Sequence, residues 1–234
     1  MKKLGILIFA VALILGIVVT SMFSVGRAAG SLFHFNFDWK GGVKGSGNVV
    51  TDRRDASGFH GVEVGGIYQV EITAQKEYSV TVEADDNIVP LVKTEVENGI
   101  LKIESEGRIS PKSTIRIVIA APDVDHLDIS GVANVTVNNL KNDALSIDSS
   151  GASKIALNGE TSKLNVDVSG AVKVDANELK TENATVDANG ASNVLLNVSG
   201  TLKADASGAS HITYSGTPSN VQKSTTGVAN ISPR

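Results

Sequence analysis

The sequence predicts an all-β protein: a parallel β-helix-like solenoid with coils of about 19–20 residues, right-handed turns favoured. A less regular β-rich first half and an N-terminal apolar helix precede it. Three observations carry that expectation. Glycines recur at 131, 151, 170, 190, 208 and 227, at intervals of 20, 19, 20, 18 and 19. Apolar residues alternate with polar ones on both sides of each glycine. Shorter alternating runs fill residues 62–120. A period near 20 residues, rich in β-branched residues, suits stacked strands, whereas helical repeats need about 33 or more.

Each element follows from its residues. Lys2 and Lys3 precede an uncharged run, Leu4 to Gly26. That run is long enough for a membrane anchor and also fits a signal peptide cleaved near Gly26 and Ala28. In either case the basic end stays inside and the remainder is exported to the cell envelope or beyond. Residues 1–30 are therefore an anchor or signal peptide. Residues 31–58 are an aromatic and Gly-rich linker. In it Phe33, Phe35, Phe37 and Trp39 alternate with polar residues, as an interfacial aromatic belt or a short docked strand would. GGVKGSG closes the linker.

Residues 59–126 form the β-rich first half. VEVGGIYQVEIT aligns with the repeat when Gly66 is set on Gly131, and Asn98-Gly99 signals a hairpin. Residues 127–216 carry the regular repeats. Leu127, Ile147, Val166, Val186 and Ala204 stand four places before each glycine. Val135, Ile155, Val174, Val194, Ile212 and Ile231 stand four places after it. Alternate residues of a strand share one face, so these columns point inward. Each glycine permits a corner of positive φ, and the short polar residue before it can bond the turn. Residues 217–234 form a cap. There Lys223 takes an inward position and Pro233 interrupts the pattern, as a terminal repeat requires.

The residues exclude several chemistries. The net charge is −4, which disfavours nucleic acid as the partner. No cysteine is present, so disulfides and thiolate chemistry are absent. The four histidines, His34, His60, His126 and His211, lack metal-ligand spacing. The recurring serines have no histidine beside them to act as base. No catalytic residue is assigned, no cofactor is expected, and the chain reads as a non-enzyme.

One constellation stands out. Three places before each glycine come Asp128, Asp148, Asp167, Asp187 and Asp205, with Glu63 in the same place before Gly66. Stacked strands would set these carboxylates about 4.8 Å apart. Adjacent charges would then repel by about 0.9 kcal/mol even in bulk water. The column reads first as a solvated face, offset by Lys154, Lys173 and their neighbours three places after the glycine. The alternatives are a strip binding Ca²⁺ and a carboxylate pair for glycoside cleavage.

SGASKI, SGAVKV, NGASNV and SGASHITYSGTP, with VEVGGIYQVEITAQKEYSVTVEADDNIVPLVKTEVENGILKIES upstream, resemble the bacterial putative auto-transporter adhesin, head GIN domain family. The resemblance covers residues 48–234. It implies an exported β-helix-like domain and supplies no catalytic residue. The expected role is structural or adhesive, with the membrane engaged through the N-terminal segment and an envelope polysaccharide or protein as partner. A carbohydrate-binding or carbohydrate-active domain is the first alternative, weakened by the scarcity of aromatic rings. A sensor ectodomain on a membrane anchor is the second.

Overall fold

The computed structural model describes residues 42–234. The apolar N-terminal run, expected to be a helix, and the aromatic segment Phe33 to Trp39 lie outside the described residues. Among the described residues, no helix is long and apolar enough to cross a membrane.

The first half contributes β1 (Val43–Lys44), β2 (Val49–Arg54), β3 (Gly61–Thr73) and β4 (Ser79–Asp85). After a single 3-10 turn, Val89–Leu91, come β5 (Val92–Glu97), β6 (Ile100–Ser105), β7 (Ile109–Ser110) and β8 (Arg116–Ala120). The repeats form β9 (His126–Gly170), β10 (Lys173–Gly190), β11 (Asn193–Val198) and β12 (Thr201–Gly208). The last three are β13 (His211–Ser215), β14 (Asn220–Gly227) and β15 (Asn230–Pro233). β9 and β10 are long because their ladder pairing continues through the bends.

The all-β expectation holds, but the parallel β-helix-like solenoid does not. Thirteen strands make one mixed sheet, in the order β15-β13-β11-β10-β9-β3-β8-β4-β2, with no closed solenoid. β2–β4, β4–β8 and β5–β6 are antiparallel pairs. β3 pairs in parallel with β6, β8 and β9. The physical reason lies in the connections. The two-residue Asn98-Gly99 link between β5 and β6 can join only antiparallel strands, and Asn98 adopts φ 51° there. A parallel return needs a dozen residues or more.

Within the second half, register follows the glycines. Gly66 faces Gly131, Gly190 faces Gly170, and Gly208 faces Gly227. Val174 lies between Ile155 and Val194, and Ile212 between Val194 and Ile231. These inward residues are all buried, and each such aliphatic side chain contributes about 1.5–3 kcal/mol relative to exposure. An inward column two places after the glycine was not foreseen. It contains Ser153, Ser192 and Ser210, all buried. Their hydroxyls are satisfied locally: Ser153 Oγ lies 2.7 Å from Ser149 Oγ, and Ser192 Oγ donates to the Asn189 carbonyl at 2.9 Å. Hydroxyls so paired avoid the desolvation cost of an orphaned polar group.

The second bend of each repeat is built differently. Asn158 Nδ2 donates to Asn138 Oδ1 at 2.7 Å, while Asn158 Oδ1 accepts from the Asn139 amide at 2.9 Å. One repeat further on, Asn197 Nδ2 reaches the Asn177 carbonyl at 3.3 Å. At the end of the stack Lys223 Nζ sits 4.7 Å from the Tyr214 ring centroid and donates to the Ile231 carbonyl. A cation over an aromatic face closes an inward position that carries no aliphatic group.

Candidate functional site

The acidic residues do form a column. Glu63 faces Asp128 across β3–β9, and Asp187 lies between Asp167 and Asp205 across β9–β10–β12. Asp148 stands close enough to Asp167 to act on its charge. Lys102 borders the column beyond Glu63, and Ser224 borders it beyond Asp205. The row therefore begins beside a cation and stops one repeat before the end of the stack.

Desolvation, with the charges of Asp187 and Asp148 on either side, pushes the Asp167 carboxyl above the ordinary aspartate range. A folded-state pKa raised in this way means that ionised Asp167 opposes folding above that pKa. The penalty disappears as pH falls through it. Asp167→Asn should therefore raise the melting temperature by about 1–2 °C at pH 7, a small gain because solvent screens an exposed group. The advantage should vanish in melts below the carboxylate range. Equal melting temperatures at pH 7 would show that the column carries no net repulsion.

Among the described residues, no group of three or more His, Cys, Asp or Glu side chains is arranged to hold a metal ion. The serines before the corners are exposed or half-buried, and Ser207 Oγ donates to Asn189 Oδ1 in the preceding repeat. His60 is engaged with Asp125, Nδ1 to Oδ1 at 2.8 Å, away from those serines.

Beyond β3 the charged surface continues onto the β5–β6 hairpin. Glu95 and Glu97 on β5 and Glu104 on β6 share a shallow recess with Glu63, Lys93 and Lys102. Lys102 Nζ bonds Glu97 Oε2 at 2.7 Å, which holds the Glu97 carboxyl below its usual range. The hairpin thus mixes both signs, while the repeats beyond it carry carboxylates alone in this column.

One polar centre escaped the sequence reading. Asp85, at the end of β4, is completely buried. Its carboxylate accepts from the amides of Gly47, Lys112 and Ser113 at 3.0, 2.8 and 3.3 Å, and from Ser113 Oγ at 2.9 Å. Asp86 Oδ2 accepts from Asn48 Nδ2, and Asn87 bonds both the Ser46 amide and the Lys44 carbonyl. The Asp85–Asn87 turn thereby clamps residues 44–48 onto the sheet. The only available signal was a run of turn-forming residues, Asp-Asp-Asn, after a strand.

Similarity to known proteins now places this architecture. No curated protein matches the chain. The family model described as putative auto-transporter adhesin, head GIN domain, matches residues 58–218, well over half of the sequence. The chain belongs to this family. Solved structures share the family fold at low identity. A putative adhesin from Bacteroides fragilis NCTC 9343 superposes with a TM-score of 0.68 at 19% identity, covering 82% of this chain and 100% of that one. A putative adhesin from Parabacteroides distasonis ATCC 8503 gives 0.57 at 19% identity, over 82% and 99% of the two chains. One from Parabacteroides merdae ATCC 43184 gives 0.54 at 16% identity, over 83% and 99%. At these identities the likeness is one of fold. The head GIN domain match covers the β5–β6 hairpin, the Asp85–Asn87 turn and the acidic column, Glu63 to Asp205, while residues 44–48 precede it.

Proposed function

We propose that this head GIN domain is a non-catalytic binding domain of the cell envelope, with a structural or adhesive role. Export rests on Lys2, Lys3 and the apolar run that follows them. The observation that carries the reading is the acidic column: Glu63, Asp128, Asp148, Asp167, Asp187 and Asp205 keep one outward position through successive repeats. Such a row repels itself, yet among the described residues no histidine, lysine or hydroxyl is hydrogen-bonded to it that could act as acid, base or nucleophile. An extended single-sign strip suits multipoint contact with a surface better than turnover of a bound molecule. The names of its structural relatives, putative adhesins, agree with that role.

The test is to display the full chain on a non-adherent host and measure attachment to envelope polysaccharide and envelope protein coats. Attachment should weaken with added salt, and should fall in the Asp148→Asn/Asp167→Asn/Asp187→Asn variant. Polysaccharide cleavage that disappears in Asp167→Asn would overturn the reading, as would attachment indifferent to both salt and the triple change. A melting temperature raised by Ca²⁺ only in the unsubstituted chain would make the column a cation strip instead.

A further inference from the structure

The repeats vary in length, and the variation is confined to one side. From Asp175↔Ala156 to Glu178↔Asn158, β10 gains one residue on β9. From Ala176↔Leu196 to Lys180↔Asn197 it gains three on β11. Through the glycine corners, by contrast, the pairing runs unbroken from Asn183↔Lys163 to Gly190↔Gly170 and from Thr201↔Asn220 to Gly208↔Gly227. In repeat architectures, length changes gather on the face that meets ligands. Bulges also re-aim side chains at such faces.

That irregular side contains a groove of 630 Å³, running along the stack across four successive second bends. Its floor is Asn142, Thr161 and Thr181; both threonines are buried and paired in register. Lys141, Glu160 and Lys180 rise on one side, and Asp143, Ser162 and Glu182 on the other. Lys141 and Glu160 make only a loose contact at 3.7 Å. Among the described residues, Lys180, Asp143 and Glu182 form no ion pair. The buried Oδ1 of Asn142 has no hydrogen-bond partner, although its Nδ2 donates to the Val124 carbonyl.

We infer that this groove binds a linear, uncharged, hydroxyl-rich glycan. The inference rests on the reading of the domain as a binding module and names a ligand class for a surface distinct from the acidic column. Three features point there. The groove mixes ammonium and carboxylate groups, Lys141 with Asp143 in one bend, Lys180 with Glu182 in another and Glu160 between them, so a polyanion or a polycation meets its own sign along it. The lining consists of Lys, Asn, Asp, Glu, Thr and Ser. It lacks the aromatic and aliphatic anchors on which peptide and protein partners depend, and gives an acyl chain nothing to bury. Sugar hydroxyls both donate and accept, so one chain can serve carboxylates, ammoniums and the Asn142 floor in succession. With no ring for stacking, each sugar binds weakly, and affinity accumulates along the polymer.

The experiment is an NMR titration of the full chain with hexasaccharides of β-1,4-glucose, β-1,4-N-acetylglucosamine and α-1,4-glucose. At least one should bind with millimolar affinity, shifting amides at 141–143, 160–162 and 180–182. Lys180→Ala/Glu182→Ala should weaken it at least about tenfold while leaving the melting temperature unchanged, since both side chains are exposed. Asp148→Asn/Asp167→Asn should bind as the unsubstituted chain does. No saturable shift with any member overturns the inference, as does binding mapped to the acidic column or a groove occupied only by an extended-peptide library. Attachment that depends on the acidic column but shows no response to the hexasaccharides would sink the glycan assignment and leave the adhesive reading standing.

Discussion

Gly151→Ala should lower stability by about 3–4 kcal/mol and the melting temperature by roughly 10 °C. Gly151 has φ +127°, a conformation that L residues rarely adopt. Space is denied as well: a Cβ there would lie 2.4 Å from the carbonyl oxygen of Gly131 in the repeat before. The obstacle is backbone, so no side chain can swing aside. Relief would require two stacked corners to part, which breaks the ladder on either side. Gly58→Ala separates the two causes. Gly58 also has positive φ, +75°, but a Cβ there meets nothing within 4 Å. Only the dihedral penalty of about 1–2 kcal/mol applies. Thermal melts of both variants decide the matter, and equal losses would show that close approach of the corners contributes nothing.

Asp85→Ala should cause a comparable fall, roughly 10 °C, by a different route. The change strands three amides and a hydroxyl that now share one carboxylate, and unpaired buried donors are expensive. Gly45 packs directly on this group, where a Cβ would collide with Asp85 Oδ2. Gly45→Ala should therefore reproduce the loss from the other side of the contact. Burial pushes the Asp85 carboxyl up, but the bonds from Lys112, Ser113 and Gly47 outweigh it and hold the carboxyl below the ordinary aspartate value. A depressed folded-state pKa contributes stability that is fully present above the unfolded value, about 3.9, and is lost as pH falls through the folded one. Acid titration of the melting temperature should fall less steeply in Asp85→Asn than in the unsubstituted chain. Parallel curves would remove Asp85 from the acid response.

What could be read from sequence depended on repetition. Leu127, Ile147, Val166 and Val186 repeat one instruction four times, so chance alternation cannot mimic it. The acidic column emerged from the same alignment, because the glycine fixes where each aspartate stands. Strand direction in the first half was not legible. β2, β4 and β8 occur once each, and periodicity within a strand says nothing about its neighbour's direction. The Asn98-Gly99 hairpin was the exception, since turn chemistry alone dictates that pairing. Asp85 was hidden because its partners are mostly main-chain amides 27–38 residues away. The groove was hidden for another reason: Lys141, Glu160 and Lys180 line up only once the register slips of β10 are known.

The unbroken glycine corners and the slipping opposite bends divide the molecule as a bound volume is divided. One margin is stitched at a fixed pitch, and the other is left untrimmed. Pages of unequal width can be added or cut along the free margin without disturbing the binding. A lineage of such proteins could thus alter what it grips while the aliphatic filling beneath stays as it was.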